Sequence, residues 1–235
     1  MAGHQSHRET VVMSNQLVEA SYRLTTGEHR LIRTAIAEIE HDQRSLDDYI
    51  VISAKRFSEV SGVPVNDAYS EMQDAVDRLW GRELTLHDAP AGHPLTDNIY
   101  PIRVRWIASR SAALYQRREG KCGIRFSPDV APYLMGFRYG QFTKYPVEYI
   151  GPMTSQYGPR LYELLCQWRN TKNSLTFSLE WLRKTWEIED MRIDNVKRYV
   201  IKPAVDAVND HTDLSVTTDY SKTGKRITHV TFYFK

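Results

Sequence analysis

The sequence predicts an α+β protein of 235 residues in which one module is used twice. Three recurrences carry that expectation. Arg30-Leu31 and Arg160-Leu161 each open an amphipathic helical pattern. Ser53 and Ser178 each end a short β-prone run directly before a helical stretch, and Ala75-Val76-Asp77 returns as Ala204-Val205-Asp206, each time ahead of a short strand pattern. Helix, strand, helix, helix and hairpin, with the second and third helices forming a helix–turn–helix, is the succession of a winged helix. The expected architecture is therefore two tandem winged-helix domains related by internal duplication.

The elements follow in order. Residues 1–13 begin polar and predict a disordered tail. Thr25-x-x-Glu28 spells a capping box, and Leu31, Ile32, Ala35, Ile36 and Ile39 behind it form one apolar helical face. Leu17, Leu24 and Leu31 are spaced as in a zipper, but the first two precede the capping box and the run is too short for a coiled coil, so they are read as core. A helix over 55–61 stops at Gly62, and a turn with Pro64 and Asn66 leads to a helix over 67–80. Strand patterns follow at 83–87, 102–114 and 120–127, with a hairpin loop at 115–120. Ser127-Pro128 starts a short helix to about 135.

Residues 137–151 mix aromatics with Gly and Pro and read as a linker, leaving domains at 14–136 and 152–235. In the second copy the pattern gives a helix at 159–169, a strand at 175–177 and helices at 179–186 and 192–210. The chain closes in a hairpin whose last strand alternates, Thr228, Val230, Phe232 and Phe234 against Ile227, His229, Thr231 and Tyr233. Residues 220–226, with Thr223-Gly224 at the tip, form its wing.

Hydrophobic content of 41% and charged content of 26% are ordinary for a globular protein. The formal net charge is only +2, so any nucleic-acid surface must be local. The positive excess lies wholly in the second half of the chain. Cys122 and Cys166 make neither a metal-ligand spacing nor a disulfide framework, and no apolar run is long enough to span a membrane. The expectation is a reduced, cytoplasmic setting without a leader segment.

Stepping along 192–210 at helical pitch gathers Ile193, Val196, Val200, Ala204, Ala207 and Val208 on one side. The other side presents Asn195, Arg198, Tyr199, Lys202 and Asp206. Arg and Lys suit guanine edges and Asn suits adenine edges, so Arg192, Asn195, Arg198 and Lys202 predict a recognition surface for double-stranded DNA. Lys197 falls nearer the buried side and suits a phosphate, reached by snorkelling. Lys222, Lys225 and Arg226 on the wing suit backbone or minor-groove contact. A merely solvated basic face would look similar in isolation; its place in a duplicated winged-helix frame favours DNA. Pro203 deletes the hydrogen bond to the Tyr199 carbonyl and predicts a kink. The equivalent helix of the first copy carries Asp67, Glu71, Asp74 and Asp77 against Arg78. It predicts protein contact, with Lys55 and Arg56 as peripheral DNA contacts. No phosphate-binding glycine loop and no His-x-His pair beside a tyrosine occurs, and His87 and His93 are poor ligand candidates. The expectation is a DNA reader with no catalytic residue, metal or cofactor.

Four segments resemble a known family: Tyr139–Tyr145 (YGQFTKY), Tyr162–Trp168 (YELLCQW), Ile201–Val205 (IKPAV) leading to Asn209–Leu214 (NDHTDL), and the opening Ser14–Ala20 with Leu24–Leu31. Together they are similar to the initiator Rep proteins of theta-replicating, iteron-containing plasmids, over about residues 12–235. The resemblance implies a C-terminal domain that reads the iterons and an N-terminal domain for dimerisation and auxiliary contact. It implies monomers at the origin, dimers repressing their own gene, and recruitment of the host initiator and replicative helicase. It places the recognition helix on Asn195, Lys197, Arg198 and Lys202, the wing on Lys222, Lys225 and Arg226, and the dimer surface on strands 102–114 and 120–127. A transcriptional repressor with no replication role is the alternative, and an origin-nicking enzyme is disfavoured by the missing His pair.

Overall fold

A helix, a strand, two helices and a hairpin occur twice along the chain, each copy started and stopped by local chemistry. The computed structural model describes residues 9–42, 49–89, 100–108, 120–134 and 141–235. The first unit runs through α2 (Thr26–Asp42), β2 (Ile50–Ser53), α3 (Ala54–Ser61), α4 (Val65–Leu79), β3 (Glu83–Leu86), β4 (Ile102–Arg105) and β5 (Lys121–Ile124). The second runs through α6 (Gly158–Cys166), β7 (Ser174–Ser178), α7 (Leu179–Thr185), a helix in three parts, β8 (Val216–Thr223) and β9 (Arg226–Phe234). The expected loop at 115–119 and the upper half of the strand expected at 102–114 lie outside the described residues, as do residues 1–8 and 135–140.

The capping box forms as the sequence predicts. Thr25 N–H donates to Glu28 Oε2 at 2.6 Å and Glu28 N–H donates to Thr25 Oγ1 at 3.4 Å. Ser53 caps α3 by accepting from Arg56 N–H, and Ser178 caps α7 by accepting from Trp181 N–H. The same strand-to-helix junction is thus built with the same hydroxyl in both copies. Gly62 ends α3 in the left-handed region at φ +72°, and its N–H donates to Ser58 O.

In the first unit β2 pairs antiparallel with β5, β3 with β4, and the Ile107–Phe126 bridge joins the two ladders. In the second, β7, β9 and β8 make a three-stranded sheet in that order. Only Ser178–Ser174 of β7 pair with His229–Tyr233, so the β8–β9 ribbon projects past the sheet toward its turn.

Two expectations are corrected. Thr10–Ser14, assigned largely to a disordered tail, form β1, with Val11 and Met13 fully buried. The segment read as a linker contains its partner: β6 (Phe142–Pro146) pairs antiparallel with β1 from Thr10↔Pro146 to Ser14↔Phe142. The alternation of Thr143 and Tyr145, buried, with Phe142 and Lys144, exposed, gives β6 one core face. Behind β1 lies the short α1 (Asn15–Glu19), capped by Ser14, and beyond β5 the short α5 (Ala131–Leu134).

Every residue of α6 is buried. A helix buried all round must have protein on all sides, and α6 packs against α9 of the second unit (Lys202–His211) as well as α1 and β6 of the first. At its centre Glu163, fully buried, accepts from Arg33 Nε at 2.7 Å, Arg33 Nη2 at 2.9 Å and Tyr145 Oη at 2.5 Å. Arg33 Nη2 also donates to Tyr22 Oη at 3.0 Å. Burial opposes the Arg33 charge, but the Glu163 carboxylate outweighs it and holds the guanidinium pKa well above its ordinary range. Arg160, 2% exposed, lies 3.6 Å over the Tyr22 ring and donates to Ala20 O and Thr185 O. On the outer side Arg30 donates to Gly151 O and Met153 O and pairs with Glu71. Position 151 must be glycine, since a Cβ there would fall 1.9 Å from Val60 O.

Two outcomes follow from this seam. Glu163→Gln leaves the Arg33 charge buried without its counter-ion and should cost about 3–5 kcal/mol in urea unfolding. Replacing Arg33 and Glu163 together by apolar residues of similar volume should cost distinctly less; a double variant as unstable as Glu163→Gln would contradict this. His29 is fully buried, and burial, then the charges of Arg33 and Arg160, push its pKa well below the usual imidazole range. It stays neutral in the fold while the unfolded chain takes up a proton near pH ~6.5. Stability is therefore complete above that pH and falls below it, by up to about 1.4 kcal/mol per pH unit. His29→Gln should flatten the loss of stability measured between about pH 7 and pH 5, and an unchanged slope would remove His29 from the account.

Candidate nucleic-acid interface

The second unit's third helix is continuous over 193–211 but changes pitch. It consists of α8 (Ile193–Asn195), a π turn (Val196–Ile201) and α9. Pro203 has no N–H to offer the Tyr199 carbonyl, and the preceding turn widens, Lys202 N–H donating to Lys197 O five residues back. This π turn occupies the place where the sequence predicts a kink. The wider turn lets consecutive Val200 and Ile201 both face the core, beside Val196, Ala204, Ala207 and Val208.

The opposite face presents Asn195, Arg198, Tyr199, Lys202 and Asp206, as the helical stepping predicts. Arg192 is exposed at the N-cap. The Arg198 guanidinium lies 5.2 Å from the Tyr199 ring centroid. Lys202 Nζ pairs with Asp206 Oδ2 at 2.6 Å across one exposed turn. Such surface pairs are worth under about 1 kcal/mol, so exchanging Asp206 for a phosphate costs little. Lys197 is half-buried, with its Nζ 4.5 Å from the Tyr220 ring centroid on β8. It braces the helix against the base of the wing.

The wing itself is a tight turn. Thr223 pairs with Arg226 around Gly224, which has φ +62°, and the register shifts between Ser221 and Lys222. Lys222, Lys225 and Arg226 are all exposed on this ribbon. Of the eight sequence-predicted positions, the five on the helix and the three on the wing all lie on the second unit; seven are exposed and Lys197 is half-buried.

The first unit differs where it matters. On α4, Asp67, Asp74 and Asp77 are exposed, and Glu71 pairs with Arg30. Arg56, a peripheral candidate from the sequence, is taken up by Glu38 at 2.5 Å and by Glu9. Lys55 remains exposed, 3.9 Å from Glu59.

A cleft of about 370 Å³ lies between the units, lined by Thr25 and Thr26 before and at the start of α2, by Thr154–Tyr157, and by Tyr199 and Pro203 of the second unit's third helix. Tyr199, 56% exposed, stands at its edge. In sequence the lining shows as Tyr199 on the polar face of a helix and as Ser155 and Tyr157 before Gly158-Pro159; that these segments meet Thr25 and Thr26 comes from parts far apart in the chain.

The described residues contain no group of three or more His, Cys, Asp or Glu placed to hold a metal. Burial raises both the Cys122 and Cys166 thiols to about 12, so neither is a nucleophile at neutral pH. No helix is long and apolar enough to cross a membrane among the residues described.

Comparison with known proteins places this geometry. The chain matches the family described as Initiator Replication protein, WH1, over residues 10–166, and Initiator Rep protein, WH2, over residues 178–234. A 27.6 kDa uncharacterized protein of Escherichia coli is 23% identical over 231 residues, which cover 92% of this chain and 91% of that protein. The Pi initiator protein, solved in complex with iteron DNA, superposes with a TM-score of 0.73 at 19% identity, over 97% of each chain. Domains 2 and 3 of RctB superpose with a TM-score of 0.53 at 11% identity, over 91% of this chain and 83% of that one. These structural likenesses show the fold, two winged-helix domains in tandem.

Proposed function

The chain belongs to the initiator Rep protein family, and on that footing we propose that it initiates replication of a plasmid by binding directly repeated origin DNA, the iterons. The observation that supports this reading is the exposure, on one winged helix, of Arg192, Asn195, Arg198 and Lys202 along its third helix and of Lys222, Lys225 and Arg226 on its wing. A recognition helix enters the major groove while a wing follows the adjacent backbone. Asn195 and Arg198 are the base readers; Arg192, Lys202 and the wing residues hold phosphates, and Lys197 serves mainly to seat the wing. The Pi initiator, which shares this fold, was solved on iteron DNA, which supports the choice of ligand.

The rest of the reading rests on membership of that family. The chain positions DNA and leaves ATP-driven unwinding to the host initiator and replicative helicase, which it recruits. It works as a binder, without a catalytic residue or cofactor, in the bacterial cytoplasm. The first unit supplies dimerisation, through the strand surface of β4 and β5, and the second unit the main DNA contact. As a dimer, in equilibrium with monomer, the protein represses its own gene.

A footprint at physiological salt on the DNA flanking the gene tests this. A ladder of protected direct repeats is the expected result, whereas one protected inverted repeat would demote the protein to a repressor. Arg198→Ala should weaken specific binding by about 1–3 kcal/mol and leave random DNA nearly unaffected. Equal losses on both DNAs would remove it as a base reader. Lys225→Ala should weaken all DNA alike and lower the slope of log K against log salt by roughly one unit.

A further inference from the structure

The π turn in the second unit's third helix leaves a mark in its register. In an unbroken α-helix, side chains seven apart share a face. Lys197 stands seven residues before the buried Ala204, yet Val196 is the side chain wholly buried there. Lys197 lies to the flank, half-buried, with its Nζ over the Tyr220 ring. The buried side of this helix therefore has the phase of a regular helix with one residue fewer between Val196 and Ala204. The wider turn, in which Lys202 N–H reaches back to Lys197 O, takes up the extra residue.

That residue is displayed outward. Within the turn Val196, Val200 and Ile201 belong to the core and Lys197 braces the wing, which leaves Arg198 and Tyr199 facing solvent. Tyr199 is more exposed than any other large hydrophobic side chain among the described residues. Its ring lies beside the Arg198 guanidinium, on the side of the helix turned toward the first unit. Asn195 and Lys202, four before and three after it, are its exposed neighbours along the helix. An aromatic ring largely left in water thus stands in the row of side chains assigned to DNA.

The chemistry of the groove selects its contact. In the major groove thymine is marked by an apolar group, its 5-methyl, which apolar and aromatic side chains meet. Tyr199 carries no charge to hold a phosphate, and its ring offers apolar surface.

We propose that Tyr199, displayed by the π turn, is a specificity-determining residue that packs against the 5-methyl group of one thymine of the iteron, on the first-unit side of the base read by Arg198. The inference rests on the DNA-binding reading above. It gives the wide turn a role in recognition: one more side chain reaches the DNA while the buried register of the helix stays unbroken.

Exchanging thymine for uracil, one position at a time along an iteron duplex, removes single methyl groups and leaves backbone charge and base pairing in place. For wild type, one exchange beside the Arg198 base should weaken binding about fourfold, the worth of one buried methyl group. Tyr199→Ala should become indifferent to that exchange, whereas Tyr199→Phe, which keeps the ring, should respond as wild type does. The position is exposed, so matching thermal midpoints should confirm that both variants fold. A uracil profile identical for wild type and Tyr199→Ala, or Tyr199→Phe behaving as Tyr199→Ala does, would overturn the assignment and leave the DNA-binding reading standing. Absence of any specific binding by wild type would overturn both.

Discussion

The buried pair of Arg33 and Glu163 is the constraint on which the rest of this structure depends. Both side chains are wholly out of solvent, where an ion pair gains little over a well-packed apolar pair but penalises heavily any state in which one charge loses the other. It therefore acts less as glue than as a register mark. Arg33 rides on α2 of the first unit and Glu163 on α6, with Tyr145 of β6 supplying a third hydrogen bond and Tyr22 bridging to the guanidinium. Any slip of α6 along the first unit breaks several of these contacts together. The second unit's third helix is carried on the same part: Gly158 lets α6 approach α9 so closely that a Cβ there would sit 2.9 Å from Ala207 Cβ. The position of the basic helix relative to α2 is thus fixed by a polar cluster buried behind it.

Duplication supplied one scaffold, and side-chain charge divided its use. The two copies share their helix starts, with Ser53 and Ser178 in matching roles. They differ in the exposed charges of the third helix: acidic in α4, whereas over residues 192–202 Arg192, Arg198 and Lys202 outnumber the one exposed acid, Asp194. The acidic helix cannot lie against phosphates without strong repulsion. The basic one can, because its charges are exposed or held only by a weak surface pair with Asp206. Specificity of place within the chain arises from which charges remain free, with the same backbone beneath.

Much of this was legible in the residues. The capping box at Thr25 and Glu28, the serine caps, the alternation of β9 and the polar face of the recognition helix are all local patterns, and local patterns survive into the fold. What could not be read is non-local. The pairing of β1 with β6 joins segments far apart in sequence, so Val11 and Met13 looked like the end of a tail when they are core. Arg33 and Glu163 each sit in an otherwise ordinary amphipathic helix, and nothing near either residue announces the other. Pro203 signalled a disturbed helix, yet whether the chain would kink or widen into a π turn depended on the packing of Val200 and Ile201. The cleft at Tyr199 exists only because the seam brings α2 against the second unit.

The claim that one seam makes the two winged helices a single mechanical body is tested most directly by differential scanning calorimetry of the intact chain, in dilute solution and without DNA. The account predicts one transition whose calorimetric enthalpy equals its van't Hoff enthalpy, because α6 cannot leave one unit without exposing the charges it shares with the other. Two resolved transitions, or a calorimetric enthalpy well above the van't Hoff value, would contradict it and show two domains that fold and move independently.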